Sequence, residues 1–537
     1  MPRLRWARTI TQWSNNMCPQ PPRLPLPVNV RRAHDVAQAA NGFAQPRTTQ
    51  TIFAPATGRG KTAISIIRIS GPDALQVYDR MTIAAHQTPT QSCTARHVNQ
   101  PRPRRALLRK IVHPVTRQVL DEAIVLYFPA SSSLTAQPTL ELHTHGSPAL
   151  TRLLLQTFPT LPGDFRLAEP GEFTRLALEA GKMDLTEVEG LRDLVEAETE
   201  SQRKLAARQA NGHMKRSFDA MRQTVIEASA LIEALIDFGE DEGISQGVLD
   251  QSREKASSLR ELINQHLSDG RRGEIIRNGI HLVIIGAPNA GKSSLLNWLA
   301  KREAAIVTST PGTTRDVVEL ALDYHGLPVI VADTAGLRQT TDKVEAIGIE
   351  RALMRADSSD IKLAVLSLPA IIRGGSVEID ELTLSLIDES TLILINKVDE
   401  KLFDERTALA IRDALKVAGK RWIGHCDESH GLWPISVQEG QGLSELSAAL
   451  LKELKHRFDL SDDEAETPLV TNERHRRHLE QCSTYLTSFL DVSENADDVV
   501  EAAEELRYAM LELGKLTGHV DVETVLGEIF AGFCIGK

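Results

Sequence analysis

The sequence predicts a multidomain α/β and α protein. An N-terminal α+β domain is followed by a helical bundle domain, and a Ras-like α/β domain with a P-loop is inserted into the helical one. Three observations predict this. Strand-like runs fill the region after Thr51. Apolar residues at helical spacing begin near Asp184 and resume after Leu460. Between the two helical stretches lies Gly286-Ala287-Pro288-Asn289-Ala290-Gly291-Lys292-Ser293, preceded by Leu282-Val283-Ile284-Ile285 and followed by Ser294-Leu295-Leu296-Asn297-Trp298-Leu299. That is strand, loop and helix, the setting a G-x-x-x-x-G-K-S phosphate loop requires.

Bulk properties bound the answer. A chain of 537 residues exceeds one core, and 42% apolar with 25% charged residues is a globular composition. No apolar run approaches the roughly 18–20 residues of a bilayer span. The net charge of −11 leaves any RNA contact to a local basic patch or to a partner. Five scattered cysteines show no C-x-x-C pair, which fits a reducing compartment. Residues 1–47 differ: Arg3, Arg5, Arg8, Arg23, Arg31, Arg32 and Arg47 face one acid, Asp35, without an apolar h-region. That is the composition of an organellar transit peptide, the alternative being a disordered basic arm.

In chain order, Ile64–Ile69, Ala123–Phe128 and Thr139–His143 read as strands, the first ending at the turn signal Ser70-Gly71-Pro72. Gly60-Lys61-Thr62 imitates the end of a phosphate loop, but Pro55 stands where its first Gly belongs. Arg102, Arg104, Arg105, Arg109 and Lys110 form a basic cluster with two prolines, read as a solvated loop; the alternative is an RNA contact, which no interleaved aromatic residues support. His143 and His145 share one strand face but lack a third ligand at a telling interval, so a packed or ligand-facing pair is expected. Leu185, Val188, Leu191, Leu194 and Val195 mark one helix, and Val225, Ala228, Leu231, Ile232, Leu235 and Ile236 another. Gly270-Arg271-Arg272-Gly273 reads as a hinge before the nucleotide domain, and Ser461–Glu466 as a linker after it.

Further motifs follow the phosphate loop in the order a small P-loop GTPase requires. Asn289, Ala290, Gly291, Lys292, Ser293 and Ser294 would cradle the phosphates, with Lys292 reaching the β- and γ-phosphates and Ser293 holding Mg²⁺. Gly312-Thr313-Thr314-Arg315-Asp316 is a first switch, where a Thr ligates Mg²⁺ while the γ-phosphate is present. Asp333-Thr334-Ala335-Gly336 follows a strand. Its Asp supports the Mg²⁺ shell and its Gly can donate an N–H to the γ-phosphate. Asn396-Lys397-Val398-Asp399 follows another strand. Asp399 can accept from the guanine N1–H and 2-amino group, which adenine cannot offer, so the motif selects GTP. Ser436-Val437-Gln438 is the weakest element, where G-domains usually carry Ser-Ala-Lys. Leu337 occupies the place of the Gln that many GTPases use to orient water. A cation can offset the transition-state charge instead, and Asn289 with the backbone of Thr308–Gly312 offers oxygens suited to a monovalent one.

These residues, with Pro170-Gly171-Glu172-Phe173-Thr174 and the terminal Phe533-Cys534-Ile535-Gly536-Lys537, resemble the MnmE (TrmE) family of tRNA uridine-34 modification GTPases over roughly residues 48–537. The leader suggests the mitochondrial branch. The resemblance implies a K⁺-activated GTPase, with K⁺ at Asn289, Thr308, Thr310 and Thr313, and Mg²⁺ at Ser293, Thr314 and Asp333. GTP would further touch Thr334, Ala335, Gly336, Lys397 and Ser436, and Glu345 would position the attacking water indirectly. The resemblance also implies a folate-binding-like N-terminal domain. There Arg68, Glu141, Lys182 and Lys537 would contact 5-formyl- or 5,10-methylene-tetrahydrofolate. Taken alone, Arg68 and Glu141 read as an ordinary strand ion pair. The family's Gly-Arg-Gly-Gly run corresponds here to Gly60-Lys61-Thr62-Ala63, so two glycines are lost. Cys534 has three readings: a prenylation box, a small buried residue, or, by the resemblance, a catalytic contributor.

The implied domains are a mitochondrial leader (1–47), a tetrahydrofolate-binding and dimerisation domain (48–180), a first helical segment (181–275), the GTPase domain (279–458) and a second helical segment with the Cys-Ile-Gly-Lys tail (462–537). The implied protein is a homodimer. In the mitochondrial matrix it would work with an FAD-dependent MnmG/GidA-like partner. Together they would install a carboxymethylaminomethyl- or taurinomethyl-type group at C5 of the wobble uridine of mitochondrial tRNA. The rival class is a GTP-timed ribosome-assembly factor without covalent chemistry. The G-motifs do not separate the two; a folate pocket would, since an assembly factor has no use for one. A GTPase scaffold that has lost folate binding is a third reading.

Overall fold

A computed structural model of the chain describes residues 50–537 apart from 59, 88–99, 239–241, 269, 303, 307–318, 334–358, 374–375, 425–430, 459–467, 494–498, 519–529, 531–532, 534–535 and 537. The leader, the Ser461–Glu466 linker, the first switch, Leu337, Glu345, Cys534 and Lys537 therefore lie outside the described residues.

The N-terminal domain runs β1 (Thr51–Pro55), β2 (Ile64–Ser70), α1 (Ala74–Met81), β3 (Thr82–Ala84), β4 (Leu107–Val112), β5 (Val119–Phe128), β6 (Thr139–His145), α2 (Pro148–Thr157) and β7 (Phe165–Leu167). The strands form one seven-stranded sheet, order β3-β4-β5-β6-β2-β1-β7, with β1 and β7 parallel. Alternation puts Ile67, Ile69, Val125, Leu140 and Leu142 on one face, where they pack with Val77, Tyr78 and Met81 of α1 and Leu154 of α2. The other face carries Arg68, Glu141, His143 and the exposed Ile64 and Ile124. His145 Nδ1 meets Asp121 at 2.6 Å. Among the described residues no group of three His, Cys, Asp or Glu could hold a metal. The phosphate-loop imitation is a pin. Thr62 N–H donates to the Gly146 carbonyl at 3.1 Å, and a Cβ on Gly146 would meet Thr62 Oγ1 at 2.1 Å.

Helices follow: α3 (Glu172–Glu179), α4 (Leu185–Glu196), α5 (Glu200–Ala210), α6 (His213–Phe238), α7 (Glu242–Ser268) and α8 (Gly270–Asn278). Capping boxes at Asp184/Glu187 and Thr199/Gln202 start α4 and α5 by satisfying orphan N–H groups. The Gly270–Gly273 run, expected as a hinge, is instead the first turn of α8. Gly273 serves close packing there, since a Cβ would sit 2.2 Å from the Val470 carbonyl oxygen.

The nucleotide domain runs β8 (Ile280–Ile285), α9 (Lys292–Arg302), β9 (Ala304–Ile306), β10 (Glu319–Tyr324), β11 (Leu327–Asp333), β12 (Ile361–Ser367), α10 (Leu368–Ile371), β13 (Ile372–Arg373), β14 (Ser376–Val377), α11 (Glu381–Leu386), β15 (Thr391–Asn396), α12 (Glu405–Val417), β16 (Leu432–Ile435) and α13 (Leu443–Arg457). Its main sheet has the order β16-β15-β12-β8-β11-β10-β9 and is parallel from β16 to β11. Both faces are covered: Leu282, Ile284, Leu363 and Val365 pack with α9 and α13, while Val283, Ile285, Ala364 and Leu366 pack with α11 and α12. That explains the unbroken apolar runs in these strands.

The chain then returns through α14 (Glu473–Val492) and α15 (Val499–Thr517). One helical core joins Met214, Phe218, Val225 and Ile232 of α6, Leu259 and Ile263 of α7, and Leu479, Leu486, Phe489, Leu506 and Leu513 of α14 and α15. Cys482 fills space in it, and burial together with Glu512 pushes its thiol up to about 12. A buried polar cluster closes this core. Arg474 donates to both oxygens of Glu189 at 2.9 and 2.8 Å and to the carbonyls of Lys515 and Leu516. His475 Nε2 donates to Glu189 Oε2 at 2.9 Å. Burial opposes ionisation of Glu189, but the charge of Arg474 and the hydrogen bonds outweigh it and hold the carboxylate well below its usual range. Burial pushes His475 below its ordinary value, so it is neutral at pH 7.

Both groups bind protons more readily in the unfolded chain, so their stabilisation is complete above about pH 6.5 and falls with acidification. The melting temperature is expected to drop from pH 7 to pH 5 as the unfolded His475 protonates, and further below about pH 4.5 through Glu189. At pH 7 Glu189→Gln should destabilise by about 3 kcal/mol in denaturant titration, by leaving Arg474 uncompensated. An unchanged midpoint would contradict the assignment.

Candidate functional site

The phosphate loop leaves β8 and turns into α9. Gly286 (φ 145°) lies against the Val365 carbonyl, where a Cβ would sit 2.3 Å away. Asn289 holds a left-handed backbone (φ 62°), which Asn tolerates better than most residues. Gly291 (φ 106°) has room for no side chain, because Asn396 Nδ2 would lie 2.1 Å from its Cβ. Asn396 binds three loops together. Its Nδ2 donates to the Ala290 carbonyl at 2.7 Å, and its Oδ1 accepts from Val437 N–H at 3.3 Å. Lys292 Nζ donates to the carbonyls of Gly286 and Ala287 at 2.8 and 2.9 Å, so its charge lies over the loop. Ser293 and Ser294 are exposed at the start of α9, with no side-chain hydrogen bond among the described residues. β11 pairs in parallel with β8, setting Asp333 opposite Ile284, two residues before the loop begins.

A cavity of about 490 Å³ opens beside this loop, lined by Gly291, Ser294, Asn396, Lys397, Asp399 and Val437. Asp399 is exposed and makes no hydrogen bond among the described residues. Its carboxylate is available to a base carrying adjacent N–H donors. Asn297, Trp298 and Lys301 also line it. Sequence reading missed them, although Ser294, Asn297, Trp298 and Lys301 recur at helical spacing on α9 and so share one face. Ser436 is fully buried, and its Oγ accepts from Glu439 N–H at 3.1 Å, so its side chain braces the loop. A second cavity of about 270 Å³ lies along Pro288, Asn289, Ser367, Asp380 and Lys397. Thr308, Thr310, Thr313, Thr314, Thr334, Ala335, Gly336 and Glu345 lie outside the described residues.

The second expected site is only partly assembled. Arg68 Nε donates to Glu141 Oε1 at 3.0 Å, and the guanidinium lies 5.7 Å from the Phe173 ring centroid. Arg68 Nη1 also donates to the Gly536 carbonyl at 3.4 Å, so the tail reaches this strand pair. Phe530 and Phe533 pack with Leu178, Leu185 and Val188, and Gly171 (φ 69°) leaves room for Phe530. Glu172, from the same Pro170–Thr174 run, is buried against Arg166. Lys182 is exposed, and no contact joins it to Arg68 or Glu141 among the described residues.

Comparison with known proteins resolves the family. Residues 185–534 match the MnmE helical domain, and residues 51–182 match the N-terminus of the GTP-binding protein TrmE. The chain belongs to the MnmE family. Among MnmE relatives, the mitochondrial 5-taurinomethyluridine-[tRNA] synthase subunit GTPB3 of Danio rerio is 39% identical over 497 residues, 91% of this chain and 93% of its own. The mitochondrial tRNA modification GTPase gtpbp3 of Dictyostelium discoideum is 38% identical, covering 91% and 95%. The tRNA modification GTPase MnmE of Rickettsia bellii is 38% identical, covering 91% of this chain and its own full length.

Asp399→Asn is expected to exchange guanine for xanthine preference, because an amide presents a donor where the guanine 2-amino group needs an acceptor. Titration with labelled guanosine and xanthosine triphosphates measures this; undiminished GTP affinity would refute the base-pocket assignment.

Proposed function

We propose that this protein is the GTP-hydrolysing subunit of a complex that modifies C5 of the wobble uridine in mitochondrial tRNA. The observation that carries the reading is the extent of the match. It spans 91% of the chain in relatives named for tRNA modification, the N-terminal sheet included. A ribosome-assembly factor would have no use for a folate pocket in that sheet. The mitochondrial relatives and the Arg-rich leader support a mitochondrial location, the matrix by our reading.

In this reading GTP lies across the phosphate loop with its base against Asp399. Lys292 neutralises the β- and γ-phosphates in place of the two carbonyls it now contacts. Ser293, its hydroxyl uncommitted, would hold Mg²⁺ together with Thr314 and Asp333. A bound Mg²⁺ would supply charge neutralisation for the phosphates there. Asn289 would face K⁺ with Thr308, Thr310 and Thr313, and Glu345 would order the attacking water through a second group. The GTPase domain is inserted into the helical domain, and the chain acts as a homodimer with an FAD-dependent partner subunit. The N-terminal domain would take a tetrahydrofolate one-carbon donor at Arg68, Glu141, Lys182 and Lys537, with Cys534 nearby. The Arg68–Glu141 pair beside the tail supports that reading, since a pterin offers donors to a carboxylate and a glutamate tail offers charge to cations.

Mass analysis of wobble uridines in mitochondrial tRNA tests the function. Removing the gene should abolish the C5 substituent; intact modification would favour the assembly-factor reading. Asn289→Ala should erase stimulation of GTP hydrolysis by K⁺ over Na⁺, and unchanged cation dependence would sink the K⁺ site.

A further inference from the structure

From His86 to Leu120 the chain contains no Asp or Glu but seven cations, Arg96, Arg102, Arg104, Arg105, Arg109, Lys110 and Arg117, in a protein of net charge −11. The fold gathers the described ones along one border of the N-terminal sheet. β3 is the edge strand, and its neighbour β4 carries Arg109 and Lys110 opposite Ala84 and Ile83. Arg102, Arg104 and Arg105 stand exposed just before β4. Arg117 lies in the turn after β4, where its Nη1 donates to the carbonyl of Arg80 at 3.2 Å, adding a further cation from α1. Arg109 stacks over the Tyr78 ring at 4.9 Å. A six-residue strand is about 20 Å long, enough to face several consecutive phosphates of a nucleic-acid backbone.

The hydrogen bonds along this border leave its charges unneutralised. Arg104 and Arg117 both adopt left-handed backbones (φ 55° and 59°). Arg104 Nη2 is tied to the Ser132 carbonyl at 3.2 Å, and Lys110 Nζ to the Gln87 carbonyl at 3.3 Å; neither bond neutralises a charge. Arg102 and Arg105 make no hydrogen bond or ion pair among the described residues. Nearby acids are few. Asp121 is engaged by His145 at 2.6 Å, Glu122 lies opposite Lys110, and Asp79 sits on α1.

We infer that this border is where the N-terminal domain docks the phosphate backbone of the tRNA, an inference that rests on the tRNA-modification reading. Binding here is electrostatic and independent of sequence. It positions the substrate and leaves base recognition to other surfaces.

The test uses the full-length protein, with tRNA binding followed by fluorescence anisotropy from about 50 to 200 mM salt. Arg102→Glu combined with Arg105→Glu should weaken binding by about tenfold or more and lower the log–log salt slope by about two. Basal GTP hydrolysis and the melting temperature should not change. Arg102→Lys with Arg105→Lys should keep both affinity and slope, because phosphate contact needs only the charge. If the reversed pair fails to fold, Arg102→Gln with Arg105→Gln gives the same reading at smaller amplitude. Wild-type binding matched by the variants overturns the surface but leaves the tRNA reading standing. Wild-type protein that binds no tRNA overturns both. Unchanged tRNA affinity with lost capture of the partner subunit would mean the border docks an acidic protein, and also overturns the inference.

Discussion

The Glu189 carboxylate is the contact on which the rest of the architecture depends. The chain leaves the helical core after α8, builds the whole nucleotide sheet, and comes back at Leu469. Apolar packing between α6, α7, α14 and α15 makes that return favourable but does not fix its register. Arg474 and His475, some 285 residues further along the chain, fix it by converging on Glu189. A buried carboxylate without these donors would be strongly penalised, so a slipped return leaves an unpaired charge. The long excursion itself costs little, since closure entropy grows only slowly with loop length.

Among the described residues, the nucleotide domain is tied to α4 and α5 at two places. Arg277, at the end of α8, pairs with Asp193 at 2.8 Å, and its carbonyl accepts from Gln202 at 3.1 Å. The second tie is the tight turn His325-Gly326 between β10 and β11. Both residues have positive φ (51° and 86°), and the Gly326 carbonyl accepts from Ser201 N–H at 3.1 Å. Ser201 lies in the first turn of α5, where N–H groups lack partners within the helix. Away from this turn, β10 follows directly from the segment carrying Thr313 and Thr314, and β11 ends at Asp333. One hairpin therefore joins the strand that ends at Asp333 to α5, next to the segments we propose to sense the γ-phosphate, and α4 and α5 adjoin the helical core. Such a lever offers a short mechanical route from nucleotide state to the helices.

Much of this was legible in the residues. The strand-loop-helix signal at Gly286–Ser293 and the order of the later motifs locate the nucleotide cavity. The family resemblance singles out Arg68 and Glu141, and the register of β2 on β6 sets them opposite each other. What was hidden depends on partners far along the chain. Asn396 belongs to a guanine motif, but its grip on Ala290 and Val437 emerges only when three loops meet. Gly273 reads as a hinge because its neighbours are Gly and Arg; the Val470 carbonyl that excludes a Cβ is almost two hundred residues away. The Arg102–Lys110 cluster read as a solvated loop until the sheet order set it along one edge with Arg117 and Arg80.

In the proposed function, GTP turnover in one α/β unit drives chemistry elsewhere in the same chain. The most direct measurement is reconstitution of wobble-uridine modification on unmodified tRNA, comparing GTP with a non-hydrolysable analogue. An extract from cells lacking the gene, supplemented with the purified protein, supplies the remaining components. The account predicts modification with GTP and essentially none with the analogue, although both bind. Equal modification with the two nucleotides would contradict it.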